Sequence, residues 1–381
     1  METVNVRDTR REAITGCLLG TAVGDALGLP AEGLSRQRQA RIFGTIQGHR
    51  LLLGHGLISD DTEHTILTAQ ALSMCSDSPS RFAQILASKL RLWILLLPAG
   101  VGLATLRSCL KLLIGVPPER SGVFSAGNGP AMRAALLGLR YGDSPETMRA
   151  FVRASTRLTH TDPKAEYGAF AVAWAAYTAA RSPANISTYA ADLQSLLPDD
   201  PEARELARLV RLAATSAANG ESTPDFCKQT FGRSDRVTGY VYQTVPAALH
   251  AWMRHPASYR DAVLGVIACG GDTDTTAAIT GAIVGAGVGE CGIPSEWVHG
   301  LAEWPYTVPW MRQMGEYLAE QASGAPTATM PDVPIAARLL RNTVFLLVVL
   351  LTVLRWYVTD ALFLVRSLCR GTFPTDFPKP S

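Results

Sequence analysis

Gly16-Cys-Leu-Leu-Gly-Thr-Ala-Val-Gly-Asp-Ala-Leu-Gly28 is the stretch whose reading decides the fold. Its small residues (Gly16, Gly20, Ala22, Gly24, Ala26, Gly28) let a second helix approach closely, which suits a helix in a central position. Working outward, Gly and Ala are abundant, strand-like alternation is almost absent, and helical spacing recurs over 65–75, 82–97, 130–140, 165–180, 202–217 and 260–269. Gly54, Pro98, Pro117-Pro118 and Pro256 fall where such segments should break. The reading is an all-α fold: a compact multi-helix domain at 10–322, a linker at 323–335, an apolar helical segment at 336–370 and a tail at 371–381.

Two acidic clusters stand about two hundred positions apart, each before an apolar helical run: Ser59-Asp60-Asp61-Thr62 and Gly270-Gly271-Asp272-Thr273-Asp274-Thr275. Asp, Ser and Thr at helix starts are ordinary caps. One side chain normally suffices for that, so two adjacent Asp and an Asp-x-Asp are a surplus. Carboxylates flanked by hydroxyls, with no Cys or His among them, make an oxygen-only set suited to hard divalent cations. A fold that joined the clusters would create a two-metal site of the kind that performs hydrolysis.

The whole chain has 381 residues, 18% of them charged, and a net charge of +2. No global field points to nucleic acid, and stable nucleic-acid binding is not expected. Seven cysteines are scattered without a C-x-x-C pair, which fits neither a zinc site nor a disulfide framework and favours a reducing compartment. The charged N-terminus, Met1 to Glu12, has no apolar stretch. The expected location is the cytoplasm.

Beyond the linker the composition changes. The apolar run Val344–Leu354 is followed by Arg355 and by a second run around 361–365. The first run is shorter than the ~20 residues of a spanning helix. Over 343–368, Arg355 and Asp360 would lie near mid-membrane, where charge is costly. Arg338 and Arg341 before it, with Arg366 and Arg370 after it, fit a shallow hairpin or an interfacial anchor on the cytoplasmic face of a membrane at least as well as a span. A helix packed on the main domain is the other reading. The apolar run 90–103, broken by Arg91 and Pro98, reads as buried core.

Four segments, in order, resemble the ADP-ribosylglycohydrolase family, relatives of dinitrogenase reductase-activating glycohydrolase. They are Gly16–Gly28 with Glu32, Ser59-Asp60-Asp61-Thr62, Gly127-Asn128-Gly129-Pro130-Ala131-Met132-Arg133, and Gly270–Thr275. The resemblance covers roughly 10–320 and implies an all-α domain with two divalent cations, Mg2+ or Mn2+, at the base of an ADP-ribose cleft. It implies Ser59, Asp60, Asp61, Asp272, Asp274 and Thr275 as metal ligands, Ser59 replacing the family's usual Thr. Glu32 would come from a mobile loop near the scissile bond, with Gly28 and Gly33 as hinges. Glu32, Asp61 and Asp272 are the catalytic candidates.

Ser125, Gly127, Asn128 and Gly129 form a loop before a helix whose N–H groups could cradle a phosphate; the resemblance places this loop at the diphosphate and distal ribose. It also puts His160 in the cleft. Arg133 is expected to brace the loop, and His64 could orient a ligand carboxylate. The implied activity is hydrolysis of the glycosidic bond between ADP-ribose and an acceptor: arginine, serine, nucleic acid or a small molecule. Loops around 36–56 and 232–246 would line the leaving-group side. A non-catalytic ADP-ribose reader, or a membrane-tethered scaffold on the same fold, is the alternative.

Overall fold

The helix that carries the opening stretch, Val6–Gly28, lies against Thr273–Val288 with no side chains between their backbones. A Cβ on Gly16, Gly20, Gly24 or Gly28 would overlap the carbonyls of Gly285, Gly281, Ala277 or Thr273, and the relation is reciprocal at Gly281 and Gly285. Successive fourth-residue glycines make a flat stripe on one helix, and only a matching stripe can meet it. This pair is the axis of the protein. Around it pack Asp60–Met74, Pro163–Arg181, Val241–Arg254, Tyr259–Ile267 and Val308–Ala322.

The computed structural model describes residues 6–181, 186–232, 236–324 and 329–369, without the side chains of 6–8, 355 and 359–369. Among the described residues there is no strand, only isolated backbone bridges. Helix starts follow local chemistry: Ser78, Ser144, Asp200 and Ser222 each cap a helix that carries Pro in its first turn. The helical run expected over 130–140 is broken, into Gly129–Met132 and Ala135–Tyr141. The 90–103 run is core only in part: Leu90 and Trp93 are buried, while Leu95, Leu97 and Leu103 are exposed.

Among the described residues, two helices have the length and apolarity to cross a membrane. One, within Thr9–Ala31, is wholly buried as the axis helix. The other begins the C-terminal helix, Ile335–Cys369, which is continuous, so the hairpin expected there does not form. Its inner face docks on the domain through Phe345, Val348 and Asn342, whose amide donates to Leu96 O at 2.9 Å. Arg341, expected as a flanking surface charge, is instead buried between two carboxylates. Before it, Val333 is buried in the core. The side chains of Arg355, Asp360 and Arg366, and all of Arg370, lie outside the described residues.

Candidate active site

The two acidic clusters meet because their helices start at the same end of the axis. Thr275 Oγ1 donates to Asp61 Oδ2 at 3.2 Å, and Ser59 Oγ donates to the same oxygen at 3.2 Å. Ser59 is the N-cap of Asp60–Met74 and accepts from Asp61 N, so the two Asp are not needed for capping. At the other cluster Asp272 holds the N-cap position without capping through its side chain. The surplus acids are thus available for something else.

Backbone bridges frame the cluster. Gly271 pairs with both Leu34 and Val237, and Gly127 pairs with Tyr240. Gly271 has φ +87, and a Cβ there would overlap Val237 O, so only glycine permits this junction. The junction also fixes Glu32. Gly33 N donates to Gly271 O at 2.7 Å, and Gly28, expected to be a hinge, is instead packed on Thr273 O. Gly33 supplies a positive φ of 75°.

A cavity of about 520 Å3 opens over the acids. Its floor carries Glu32, Asp60, Asp272, Asp274 and Thr275, and its wall carries Ser125, Gly127, Asn128, Gly129 and His160. Ser59 and Asp61 lie behind the floor, both buried. A larger cavity of about 720 Å3, around Arg36–Ala40 and Pro224–Phe231, has no carboxylate in its lining. Its chemistry is poorer, and the smaller cavity is the candidate site. Of the loops expected at the leaving-group side, 36–47 mostly lines that larger cavity, while Val237–Gly239 lines the acid cleft.

The loop at 125–129 is joined to the acids directly: Asn128 Nδ2 donates to Asp272 Oδ2 at 2.6 Å and to Thr244 Oγ1 at 3.0 Å. Asn128 N donates to Gly239 O, so this N–H is committed, and the helix behind the loop has only four residues. The helix-start cradle read from the sequence is therefore reduced to the remaining N–H groups of the loop. His160 explains the glycines: a Cβ on Gly127 would stand 2.9 Å from its Nε2, and one on Gly129 3.1 Å from its Cε1. Burial, with Arg133 nearby, pushes His160 down to about 3, so the ring is neutral at physiological pH. Arg133 does brace the loop; it is buried and donates to Gly129 O, Ser155 O and Thr159 Oγ1. His64 does not meet a carboxylate: its Nδ1 lies 3.0 Å from Arg133 Nη1 and its ring stands edge-on to Trp93.

Asp25 organises the floor, a role that the sequence reading did not assign. Fully buried, it accepts from Ser59 N, Thr62 N and Thr62 Oγ1, at 2.9, 3.1 and 2.5 Å. The available signal was one acid within an otherwise small and apolar helical stripe, since an unpaired charge is not buried there without partners.

The electrostatics are strained by like charge. Burial, then Asp272 and Asp25, push Glu32 up to about 7, although solvent in the cleft reaches it. Burial raises Asp25 to about 6, against its hydrogen bonds. Asp60, Asp61 and Asp274 are held well above the usual carboxylate range by burial first and then by neighbouring carboxylates, Glu32 foremost at Asp60 and Asp274 and Asp60 at Asp61. Asp61 Oδ1 and Asp274 Oδ1 are buried without a hydrogen-bond partner among the described residues. Among the described residues, no three Asp, Glu, His or Cys side chains converge closely enough, as they stand, to enclose an ion. The donor chemistry nonetheless fits one: the oxygens are anionic, crowded and partly orphaned.

Among the described residues, an all-helical frame thus presents crowded carboxylates at the floor of a cleft. The ADP-ribosylglycohydrolase family model matches residues 6–328, and the chain belongs to that family, whose members are hydrolases acting on glycosyl bonds. It is 30% identical to an uncharacterized protein of Archaeoglobus fulgidus over 77% of this chain and 92% of that one. It is 26% identical to the ADP-ribosyl-[dinitrogen reductase] glycohydrolase of Rhodospirillum rubrum, over 75% of this chain and 89% of that one. A solved ADP-ribosylglycohydrolase-related protein complex shares the fold at TM-score 0.62 and 24% identity, over 83% of this chain and 99% of that chain.

Proposed function

We propose that this protein removes ADP-ribose from an acceptor by hydrolysis at the anomeric carbon, assisted by two divalent cations, Mg2+ or Mn2+. The observation that carries the reading is the orphaned pair Asp61 Oδ1 and Asp274 Oδ1, one from each cluster, beneath a cleft that the Asn128 loop lines. Ser59, Asp60, Asp61, Asp272, Asp274 and Thr275 would hold the cations. When bound, these would cancel the crowded negative charge and supply Lewis acidity for water and the ribose hydroxyls.

The chain's own groups do the rest. The Ser125–Gly129 loop and the neutral His160 orient the diphosphate and ribose without bringing a cation of their own. Asn128 links that loop to Asp272, so a shift of the bound nucleotide is felt at the floor. Carboxylates around the sugar stabilise positive charge as the glycosidic bond lengthens. Glu32, the cleft carboxyl that solvent reaches, moves the proton between water and the leaving oxygen or nitrogen.

The test uses the full chain with arginine-, serine- and nucleic-acid-linked ADP-ribose, with and without Mg2+ or Mn2+, following released ADP-ribose. Release from any one substrate, abolished by Asp272→Asn with Asp274→Asn, is expected. ADP-ribose binding without release from any substrate would favour the reader alternative.

The cytoplasm remains the proposed location. Leu347, Leu350, Leu351 and Leu354 face outward from the docked C-terminal helix, which supports a helix lying along a membrane rather than crossing it. Flotation with anionic vesicles, lost on Leu350→Glu with Leu351→Glu, checks this.

A further inference from the structure

The C-terminal helix reaches the active site. Phe345, Val349, Thr352, Val353 and Trp356 project from one face of it, at i, i+4, i+7, i+8 and i+11, into the lining of a cavity of about 270 Å3. Opposite them stand Leu29, Leu51 and Ala99 from the domain. The cavity shares Glu32, Asp60, Asp274 and Gly100 with the acid cleft, and none of the Ser125–Gly129 loop or His160 lines it. The carboxylates therefore separate two compartments, one served by the loop and one closed by the helix.

Chemistry distinguishes them further. Beyond the shared acids and Ser59, the second compartment is walled mainly by aliphatic and aromatic groups, and among the described side chains neither Lys nor Arg lines it. Thr352 spends its hydroxyl on Val348 O at 2.9 Å. Trp356, half-buried, closes this face of the helix. A wall of this kind suits a leaving group with an apolar or aromatic body. The family match ends at residue 328, so this whole wall comes from chain outside it. The helix is seated firmly, because Arg341 and Asn342 anchor it one turn before Phe345.

We propose that the C-terminal helix builds the leaving-group half of the site, and that it selects acceptors with an apolar body. This rests on the hydrolase reading, which places ADP-ribose in the loop-lined compartment with its anomeric carbon at the shared carboxylates. The leaving group then has the second compartment to occupy. Selection follows from shape: an apolar cavity discriminates by how much of the ligand it can bury.

Binding decides the matter on the full chain. The probes are ADP-ribose, its methyl glycoside and its 4-nitrophenyl glycoside, whose ring supplies the apolar body, each measured by titration calorimetry. The aryl glycoside should bind about tenfold or more tighter than the methyl glycoside. Val353→Trp, which fills the cavity, should erase that advantage and leave ADP-ribose affinity within about twofold. Trp356→Ala, a half-buried position, is a second probe that enlarges the cavity; it should weaken the aryl glycoside alone, about three- to tenfold. Equal binding of the two glycosides by the unaltered chain would overturn the proposal, as would parallel loss of all three ligands in a Val353→Trp protein that melts normally. Failure of the hydrolase reading looks different: the aryl glycoside binds but releases no ADP-ribose with Mg2+ or Mn2+, and the binding comparison still decides for or against the pocket.

Discussion

Arg341 Nη1 lies 3.0 Å from Glu63 Oε1, joining the C-terminal helix to the turn that follows Asp60 and Asp61. The same guanidinium holds both oxygens of Glu303, at 2.9 and 3.1 Å, and Glu303 in turn accepts from Ile58 N. All three side chains are buried. One guanidinium thus pairs with two carboxylates beneath the acid cluster.

Removing Arg341 leaves Glu63 and Glu303 buried without a counter-charge. Arg341→Ala should lower unfolding free energy by about 3–5 kcal/mol, measured by urea denaturation. Arg341→Lys, which keeps charge but loses the fork, should lose less. Truncation before residue 335 removes the same cation and should be destabilising too. A truncated domain as stable as the full chain would show the pair to be dispensable.

Gly281→Ala would normally stabilise a helix by about 1 kcal/mol. Here the new methyl would overlap Gly20 O and stand 2.7 Å from the Tyr259 hydroxyl. The expected result is a net loss of about 2–3 kcal/mol, read as a fall in melting temperature. A neutral or stabilising effect would mean that the two axis helices can separate without penalty.

Asp25→Asn puts an amide where two backbone N–H groups and a hydroxyl now donate. A donor then faces a donor, and the Ser59–Thr62 turn should lose its fixed position. Mn2+ titration should show at least about tenfold weaker binding, with part of the fold's stability retained. Unchanged affinity would remove Asp25 from the organisation of the floor.

Chelation should lower the melting temperature of the cation-loaded protein, and Mg2+ or Mn2+ should restore it. The reason is the crowding of Asp60, Asp61 and Asp274, which raises each carboxyl until a cation or protons relieve it. Cation binding should therefore weaken as pH falls below about 7, where Glu32 takes up its proton. A melting temperature indifferent to both chelator and cations would count against the metal reading.

His250 gives a pH signal far from the acids. It sits between Ser216 and Thr223 on the ring of Phe226, and burial, then Arg254, depress it to about 4. A histidine depressed in the folded state binds its proton more readily when unfolded. Its contribution is complete above about pH 6.5 and is lost as pH falls toward 4, by up to about 3 kcal/mol at ~1.4 kcal/mol per unit. His250→Asn should flatten that part of the profile in urea titrations between pH 7 and 4.

Several parts of this protein are legible without coordinates, because they depend on neighbours in the chain. The glycines of 16–28 announce a helix that must touch another closely, capping residues and prolines set the helix starts, and the excess of acids at 59–61 and 272–274 exceeds any capping need. Other features needed the third dimension. Arg341 reads in sequence as a basic flank to an apolar run, and only the approach of Glu63 and Glu303 from elsewhere in the chain turns it into a buried counter-ion. Asp25 is one acid in a stripe until Ser59 and Thr62 arrive. The wall from Phe345 to Trp356 is apolar in any reading, yet whether it meets lipid or the acid cleft depends on the docking of one helix. Periodicity and caps record short-range forces; charge pairing and cavities arise from residues tens to hundreds of positions apart, and the chain order holds no distance between them.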